Sequence, residues 1–466
     1  MKIKRLLRDF SYSISSNLIS LAVSTLVVLI VPKFIGVTEY GYWQLYIFYT
    51  NYVGVLHFGW LDGIFLRYGG YHYEELDRPT FFSQFIQFLI FQLFLSIVLI
   101  LIGLFSNTPE NKYIIIATAV AMVLINLMQF FLYILQDTSR IKEYAIVTTI
   151  GRVLYFLGVL VCLVGGVKSF QEYIIADLVG RAIALMYAVY SCREIVFLKL
   201  TYFSSSLKET WRNLSVGVKL LLANFASNLI IGVVRYGIQL RWGVRVFGKV
   251  SLTLNISGFL MTFISAISLV LYPVLRRMKE QRLRQVYTVL KTLLVFVLLL
   301  GLLVYYPLAW VLPIWLPKYA DALKYMAILF PMCVYSGKFS LLIVTFMKTY
   351  RLEKKLLTLN LGILAFSVAL TVFNVFIVQN LTLTMVSMVL ILGVQSAVGE
   401  VVLERNIGMR RRRGLLLETL VVVLFVSGNY IIGGAGSLII YMVAILTYYL
   451  INKGKIFRGV KLLLEH

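Results

Sequence analysis

Long apolar runs separated by short polar segments make up most of the chain. A helix needs about 20 mostly apolar residues to cross the hydrocarbon core of a bilayer, and fourteen runs have roughly that length. The runs occupy residues 10–31, 42–62, 81–105, 113–135, 144–164, 173–190, 215–239, 251–273, 287–310, 323–347, 356–378, 381–403, 415–432 and 438–451. The pattern predicts an all-α integral membrane protein with 14 transmembrane helices.

Composition excludes most other classes of protein. Hydrophobic residues make up 60% and charged residues 14% of the 466 residues, and the mean hydropathy is +0.89. A soluble domain is about 45–50% apolar and about 25% charged, so this chain could not cover a soluble surface. Soluble enzymes, disordered proteins and secreted disulfide scaffolds are therefore excluded. Cys162, Cys192 and Cys333 show neither metal-ligand nor disulfide spacing, and we expect small buried apolar side chains there.

The positive charge is unevenly distributed. The chain has 44 Lys and Arg against 20 Asp and Glu, a formal net charge of +24. Most basic residues lie between apolar runs, as in a positive-inside topology with anionic lipid contacts. With a cytoplasmic N-terminus, the opposite side receives only Lys33, Lys112, Lys168, Arg241, Arg245, Lys249, Lys318 and Lys324. We predict that both termini are cytoplasmic, and that Arg410, Arg411, Arg412 and Arg413 fix topology and bind lipid, not nucleic acid.

The connections divide the chain into four parts. The longest predicted cytoplasmic connection, residues 191–214, mixes aromatic and basic residues, which is typical of an interfacial amphipathic segment. It separates an N-lobe of six helices (1–190) from a C-lobe of six helices (215–403), and residues 404–466 add a final helix pair and a basic tail. The external loops are all short, which disfavours a membrane glycan polymerase or ligase.

An internal repeat relates the two lobes at an offset of 207 residues. The segment Gly-Val-Thr-Glu-Tyr-Gly at 36–41 aligns with Gly-Val-Arg-Val-Phe-Gly at 243–248, and Asn17 aligns with Asn224. Both hexads fall at the predicted external turn between the first two helices of a lobe, where glycine supplies backbone angles that other residues resist. Chance similarity between apolar segments is the alternative. A real repeat spanning six helices would be parallel, with a pseudo-twofold axis along the membrane normal.

The first of these turns resembles a known family. The stretch Pro-Lys-Phe-Ile-Gly-Val-Thr-Glu-Tyr-Gly-Tyr-Trp at 32–43 and the Phe-Gly-Trp-Leu-Asp-Gly at 58–63 resemble bacterial polysaccharide repeat-unit flippases. These belong to the multidrug/oligosaccharidyl-lipid/polysaccharide exporter superfamily. The resemblance implies two lobes around a central cavity, alternating access, and a bacterial inner-membrane location. It implies an oligosaccharide on undecaprenyl pyrophosphate as cargo, with a polysaccharide polymerase and glycosyltransferases as candidate partners.

Charged and polar residues inside the apolar runs are the candidates for transport, because such residues are costly in lipid and usually face a cavity. Arginine binds phosphate oxygens through a planar fork, and lysine acts as a point charge. The predicted substrate-binding residues are Arg152, Arg181, Arg235, Lys338, Asn17, Asn224 and Tyr46. Six of them have structural alternatives: an ion pair with Asp177 for Arg181, snorkelling for Arg235 and Lys338, helix packing for the asparagine pair, and packing or interfacial anchoring for Tyr46.

The acidic residues in the runs are candidates for ion coupling or gating. These are Asp62, Asp177 and Glu400, together with His57, which could titrate near neutral pH. Ordinary gate or cap roles for Asp62 and Glu400, and an interior structural role for His57, are the alternatives. No nucleotide-binding loop, catalytic constellation or metal-ligand spacing is evident. We therefore predict a transporter, not an enzyme, without a cofactor, and a proton or sodium gradient is a candidate energy source.

Other functions remain open on the sequence. A lipid-linked peptidoglycan-precursor flippase and a cation-coupled multidrug exporter would share the same fold. A cavity for organic cations should be acidic, and the predicted one is basic, which disfavours the exporter. A membrane glycan polymerase or ligase is the more distant alternative.

Overall fold

The computed structural model describes residues 2–204, 207–276, 278, 280–409 and 414–464. The arginine cluster at 410–413 lies outside the described residues. Within these ranges the chain forms eighteen α-helices. They are α1 (Lys2–Phe34), α2 (Val37–Thr50), α3 (Trp60–Tyr68), α4 (Arg78–Leu104), α5 (Pro109–Asp137), α6 (Ile141–Val164), α7 (Phe170–Ser191), α8 (Arg193–Val196), α9 (Leu207–Arg276), α10 (Glu280–Gly301), α11 (Tyr305–Trp315), α12 (Ala320–Leu329), α13 (Met332–Gly337), α14 (Thr345–Thr349), α15 (Glu353–Val372), α16 (Leu381–Asn406), α17 (Gly414–Ser427) and α18 (Gly434–Leu464).

Single turns of tighter or wider helix connect several of these elements. Turns of 3₁₀ helix lie at Val53–His57, Tyr73–Glu75, Leu200–Tyr202, Leu302–Val304 and Pro317–Tyr319. Segments of π-helix lie at Lys338–Val344, Phe373–Val378 and Gly428–Ile432. The first π segment begins at a buried charged residue, Lys338, and π-bulges in helices often mark functional positions.

Twelve of the described helical segments are long and apolar enough to cross a membrane. The chain is therefore an all-helical, multi-pass membrane protein. The fourteen predicted helices differ from these twelve segments at two places. The predicted second helix is interrupted, and the predicted seventh and eighth helices fall within one helix, α9. The count of 14 thus stays a prediction.

Gly243 interrupts α9 with φ 76° and ψ 178°, so that two helices meet there. Only glycine adopts this backbone conformation without strain. Gly36, the aligned glycine of the first hexad, has φ −68° and ψ 154°, which any residue tolerates. The predicted need for glycine is therefore right at Gly243 and wrong at Gly36. Both glycines nevertheless separate two successive helices, as an internal repeat predicts. The pseudo-twofold relation itself stays a prediction.

The second predicted helix is broken in its middle. Helix α2 ends at Thr50, and α3 begins at Trp60 after a 3₁₀ turn and two residues with positive φ, Phe58 (52°) and Gly59 (88°). Amides from neighbouring helices satisfy two of the carbonyl groups in this break. Asn126 Nδ2 donates to Val53 O at 3.3 Å, and Gln92 Nε2 donates to Leu56 O at 3.2 Å. Broken helices at membrane depth persist only where other groups pair the freed backbone in this way.

The contacts between residues divide the chain into two compact units, Met1–Phe225 and Ala226–His466. The division falls inside α9, beyond the predicted linker at 191–214, because the beginning of α9 packs tightly on α3. A Cβ on Gly63 would lie 1.9 Å from Asn213 O, and one on Gly217 would lie 1.9 Å from Gly59 O. Small residues at both helices allow this close backbone approach.

Each unit has an aromatic core. In the first unit, Phe85, Phe88, Phe130 and Phe131 from α4 and α5 pack with Trp60. In the second unit, a similar cluster comprises Tyr305, Tyr306, Phe330, Phe425 and Tyr441.

Many large apolar side chains on the long helices are exposed, including Phe94, Ile97, Ile431 and Ile439. Contiguous exposed apolar surface of this kind suits contact with lipid tails and not with water.

The linker exposes aromatic and aliphatic residues beside its basic ones. Phe197, Leu200, Leu207 and Trp211 are all more than two-thirds exposed. A segment that presents such residues among Lys and Arg has the character of an interfacial one.

Candidate functional site

A tight crossing of α6 and α7 positions two of the predicted arginines. A Cβ on Gly180 would lie 2.8 Å from Gly151 O, and a Cβ on Gly158 would lie 2.8 Å from the Cβ of Ala176. The helix backbones therefore approach closely along a line of small residues. Arg152 directly follows one crossing glycine, and Arg181 directly follows another. The glycine crossing thus sets the two arginines at neighbouring places on adjacent helices.

Arg152 faces the interior of the first unit but is itself accessible. It shares a face of α6 with Tyr155 and Val159, three and seven residues further on, and both of these are buried. The side chain of Arg152 is nevertheless exposed, and it forms no ion pair among the described residues. The guanidinium is thus accessible although the helix face around it is buried.

One nitrogen of the Arg181 guanidinium forms the predicted ion pair with Asp177. Its Nε donates to Asp177 Oδ2 at 2.6 Å, and the hydroxyl of Tyr46 donates to the same oxygen at 2.7 Å. Asp177 and Tyr46 are buried, whereas the side chain of Arg181 is 22% exposed. The ion pair uses Nε, so the terminal nitrogens of the guanidinium are not part of this hydrogen bond.

These four residues form what we call the arginine site: Arg152, Arg181, Asp177 and Tyr46. Two guanidiniums and one carboxylate leave one surplus positive charge. Inside a helical membrane unit, such a surplus is expensive unless an anion binds to it. Guanidiniums pair with phosphate and carboxylate oxygens through two parallel hydrogen bonds. The arrangement therefore suits an anionic ligand of the phosphate type.

A second polar group in the first unit lies at the break between α2 and α3. His57 accepts a hydrogen bond at Nδ1 from the backbone amide of Gly59 at 3.1 Å, and its Nε2 lies 3.8 Å from Asp62 Oδ2. Tyr133 donates to the other oxygen of Asp62 at 3.5 Å. His57 and Asp62 are both buried. The histidine thus bonds the backbone of the turn, which fits the alternative of an interior structural role.

In the second unit, five charged residues from four helical segments form one buried network, here called the five-charge cluster. Lys338 Nζ lies 2.6 Å from Glu400 Oε2 and 2.6 Å from Glu418 Oε2. Lys291 Nζ lies 2.8 Å from Glu404 Oε1 and also contacts Glu400. The side chain of Lys338 is completely buried. Lys338 is therefore the counter-ion of two carboxylates in a buried network, which disfavours its predicted contact with an anionic cargo.

Arg235, Asn17 and Asn224 are the remaining predicted substrate-binding residues. Arg235 is half-buried in the second unit, donates to Ser251 Oγ at 3.0 Å and stacks its guanidinium on Phe247 at 5.3 Å. Asn17 and Asn224 are both exposed, so the expected helix-to-helix packing of the asparagine pair is not seen.

Sequence reasoning missed three members of the five-charge cluster: Lys291, Glu404 and Glu418. Lys291 and Glu418 are charged residues inside predicted apolar runs, which is the signal that could have found them. Glu404 lies one helical turn after Glu400, so both face the same side of α16.

The three cysteines are free thiols. Cys192 and Cys333 are buried as expected, whereas Cys162 is half-buried. Burial raises the pKa of the Cys192 thiol to about 12, since the thiolate would lose its hydration there. Among the described residues, no group of three or more His, Cys, Asp and Glu is placed to hold a metal ion.

Comparison with solved structures identifies the fold. An inward-facing multidrug resistance MATE family transporter of the MOP superfamily superposes with a TM-score of 0.63 at 14% identity, covering 84% of this chain and 98% of its own. An outward-facing structure of such a transporter gives a TM-score of 0.53 at 14% identity, covering 84% and 94%. The lipid II flippase MurJ, in an inward closed conformation, gives 0.59 at 12% identity, covering 97% and 99%. No family model and no curated protein matches the chain. The chain therefore shares its fold with these three structures.

Proposed function

We propose that the chain is a flippase that moves an isoprenoid-pyrophosphate-linked oligosaccharide from the cytoplasmic to the outer leaflet of a bacterial inner membrane. Transport would proceed by alternating access and would serve the synthesis of a surface polysaccharide. The observation that carries this proposal is the arginine site, with its surplus positive charge and its exposed Arg152.

The arginine site fits the charged part of such a cargo. A pyrophosphate presents several oxygens in the arrangement that two guanidinium forks recognise. Asp177 holds Arg181 through Nε, so the fork is oriented before a ligand arrives. Pre-orientation of this kind reduces the entropy lost on binding. The proposal assigns the phosphates to Arg152 and Arg181, and leaves the sugar to polar and aromatic groups.

Export of organic cations is the less favoured function, although MATE transporters share the fold. A cationic ligand would meet a surplus positive charge at the arginine site, and like charges repel strongly where water is scarce. Specificity arises from such repulsion as much as from attraction.

A lipid-linked peptidoglycan precursor is the second candidate cargo. The lipid II flippase covers 97% of this chain, whereas the two MATE structures cover 84%. A cargo on the same lipid carrier would present the same charged group, so the arginine site fits it equally well.

The test is a flipping assay with the full chain in proteoliposomes. An undecaprenyl-pyrophosphate-linked oligosaccharide carries a fluorophore, and a membrane-impermeant reductant quenches only the outer leaflet. We expect nearly complete quenching with the chain and about half with empty vesicles. A labelled phospholipid should behave as in empty vesicles. Scrambling of both lipids at one rate, or uptake of an organic cation instead, would contradict the proposal. Growth rescue of a strain without its peptidoglycan-precursor flippase would identify the second candidate.

A further inference from the structure

The five-charge cluster does not balance its own charge. It contains two ammonium groups, Lys291 and Lys338, and three carboxylates, Glu400, Glu404 and Glu418. The three carboxylate side chains are each no more than 5% exposed. With every group ionised, the described residues of the cluster carry one surplus negative charge. Burying an uncompensated carboxylate is so costly that such a group binds a counter-ion or takes up a proton.

One carboxylate oxygen of Glu418 has no hydrogen-bond partner among the described residues. Its Oε2 contacts Lys338 at 2.6 Å, whereas its Oε1 is buried and has no hydrogen-bond partner among the described residues. The side chain lines two cavities, of about 610 and about 400 Å³. The other residues that line the larger cavity are mostly apolar, and Lys291 and Glu404 also line the smaller one. A buried acceptor without a donor costs about 1–3 kcal/mol, and more when it is charged.

Among the residues that the structure describes, the surroundings of Glu418 contain no further base that would take the surplus charge. The titratable and charged groups around Glu418 come from five elements. They are Tyr287 and Lys291 on α10, Tyr335 on α13, Lys338 on the π segment Lys338–Val344, Glu400 and Glu404 on α16, and Tyr448 on α18. The tyrosine hydroxyls can donate hydrogen bonds but carry no positive charge. The charge count therefore rests on the two lysines and three glutamates.

We propose that Glu418 is a proton-binding site, and that its proton is the ion that drives transport. Protonation at Oε1 gives the unpartnered oxygen a hydrogen and brings the cluster to zero net charge. The ion pairs of Lys291 and Lys338 with Glu400 and Glu404 remain in both states. The contact of Lys338 with Glu418 becomes a hydrogen bond to a neutral carboxyl group. The coupling half of this inference rests on the proposed function, whereas the proton site does not.

A proton fits this site better than a sodium ion does. Sodium needs several oxygen ligands in place of its hydration shell, and only one oxygen of Glu418 is unpartnered among the described residues. The ammonium of Lys338, 2.6 Å from the other oxygen, would repel a metal ion but not a neutral carboxyl group. A cargo anion is disfavoured because the described residues of the cluster already carry a surplus negative charge.

The test of the proton site is infrared difference spectroscopy on the purified chain in lipid nanodiscs, between alkaline and acidic buffers. A protonated carboxyl in an apolar site gives its own carbonyl-stretch band. We expect Glu418→Gln to lose one such band and Glu353→Gln, at an exposed position on α15, to keep it. An unchanged band in a monodisperse Glu418→Gln protein would overturn the assignment. Loss of the band when sodium replaces potassium in the buffer would also overturn the assignment, because sodium would then bind in place of the proton.

A second variant tests the charge balance without touching Glu418. Lys291→Gln removes one of two ammonium groups at a side chain that is 15% exposed, so it disturbs packing less than a change at Lys338. The cluster would then hold two surplus negative charges and should take up a second proton, seen as a stronger carbonyl band. A band equal to that of the natural chain would refute the charge argument.

The coupling half is tested in the flipping assay with a pH gradient across the vesicle. We expect the gradient to accelerate flipping by the natural chain and by Glu353→Gln, and to have no effect on Glu418→Gln. Equal acceleration in Glu418→Gln would overturn the coupling. If no chain flips the lipid pyrophosphate but the carbonyl band behaves as expected, the proposed function fails and the proton site stands.

Discussion

Replacing Arg152 by Gln should weaken the binding of a lipid pyrophosphate while the chain stays folded. Arg152 is exposed and forms no ion pair among the described residues, so its removal leaves no buried partner without a counter-charge. Arg181 keeps its contact with Asp177 in the variant. The substitution therefore removes the surplus charge of the arginine site and little else.

The size of the effect follows from the hydrogen bonds that the fork would make. A hydrogen bond to a charged group contributes about 1.5–3 kcal/mol, and 1.4 kcal/mol is tenfold in affinity. Loss of one such contact predicts binding that is about 10- to 150-fold weaker. Arg152→Lys keeps the charge but loses the planar fork. Its affinity for the lipid pyrophosphate should therefore lie between that of the natural chain and that of Arg152→Gln.

Calorimetric titration with a short isoprenyl pyrophosphate measures this directly, with the corresponding alcohol as the reference ligand. Arg405→Gln, an exposed arginine at the end of α16, is the matched control and should bind like the natural chain. The reasoning is refuted if Arg152→Gln binds as tightly as the natural chain, or if the alcohol binds as well as the pyrophosphate.

Three further substitutions test the packing and the titration described above. Gly180→Val should destabilise the chain by about 1–3 kcal/mol in thermal unfolding, since a Cβ there meets Gly151 O at 2.8 Å; Gly362→Ala, with no atom within 4 Å, is the control and should not destabilise it. Asn126→Leu should cost about 1–3 kcal/mol, because it removes the hydrogen bonds that Asn126 donates to Val53 O and Gln92 Oε1. Since the pKa of Cys192 is raised to about 12, the folded chain keeps this proton after the unfolded chain has lost it. Stability should therefore fall as the pH rises above about 9, and Cys192→Ala should reduce that fall.

The apolar runs predict most helices because lipid requires long uninterrupted segments. They do not predict the break between α2 and α3, since the run 42–62 is apolar enough on average to be one helix. The break depends on the amides of Gln92 and Asn126, which pair the freed carbonyls from other helices. Such a contact between distant parts of the chain has no signal in the local pattern.

The same limit applies to the candidate sites. Asp177 and Arg181 are four residues apart on one helix, so their pairing could be predicted from spacing alone. The participation of Tyr46, on another helix, could not. Lys338 was expected to bind an anion because a lone charge in an apolar run suggests a ligand. Its partner Glu418 lies on a different helix, and only the tertiary structure brings the two together.

The two sites differ in sign, and thermodynamic linkage turns this into a final prediction. The arginine site in the first unit has a surplus positive charge, and the five-charge cluster in the second has a surplus negative one. If the proton on Glu418 changes the affinity for a lipid pyrophosphate, then that ligand must change the affinity for the proton by the same factor. A tenfold change in lipid affinity on protonation corresponds to a shift of about one pH unit in the midpoint of the carbonyl band. The measurement is the infrared titration of the full chain with and without an isoprenyl pyrophosphate at a concentration that saturates only the natural chain. Arg152→Gln is the control and should show a smaller shift at that concentration. A midpoint that stays constant while lipid affinity changes with pH would show that a group other than Glu418 carries the coupling.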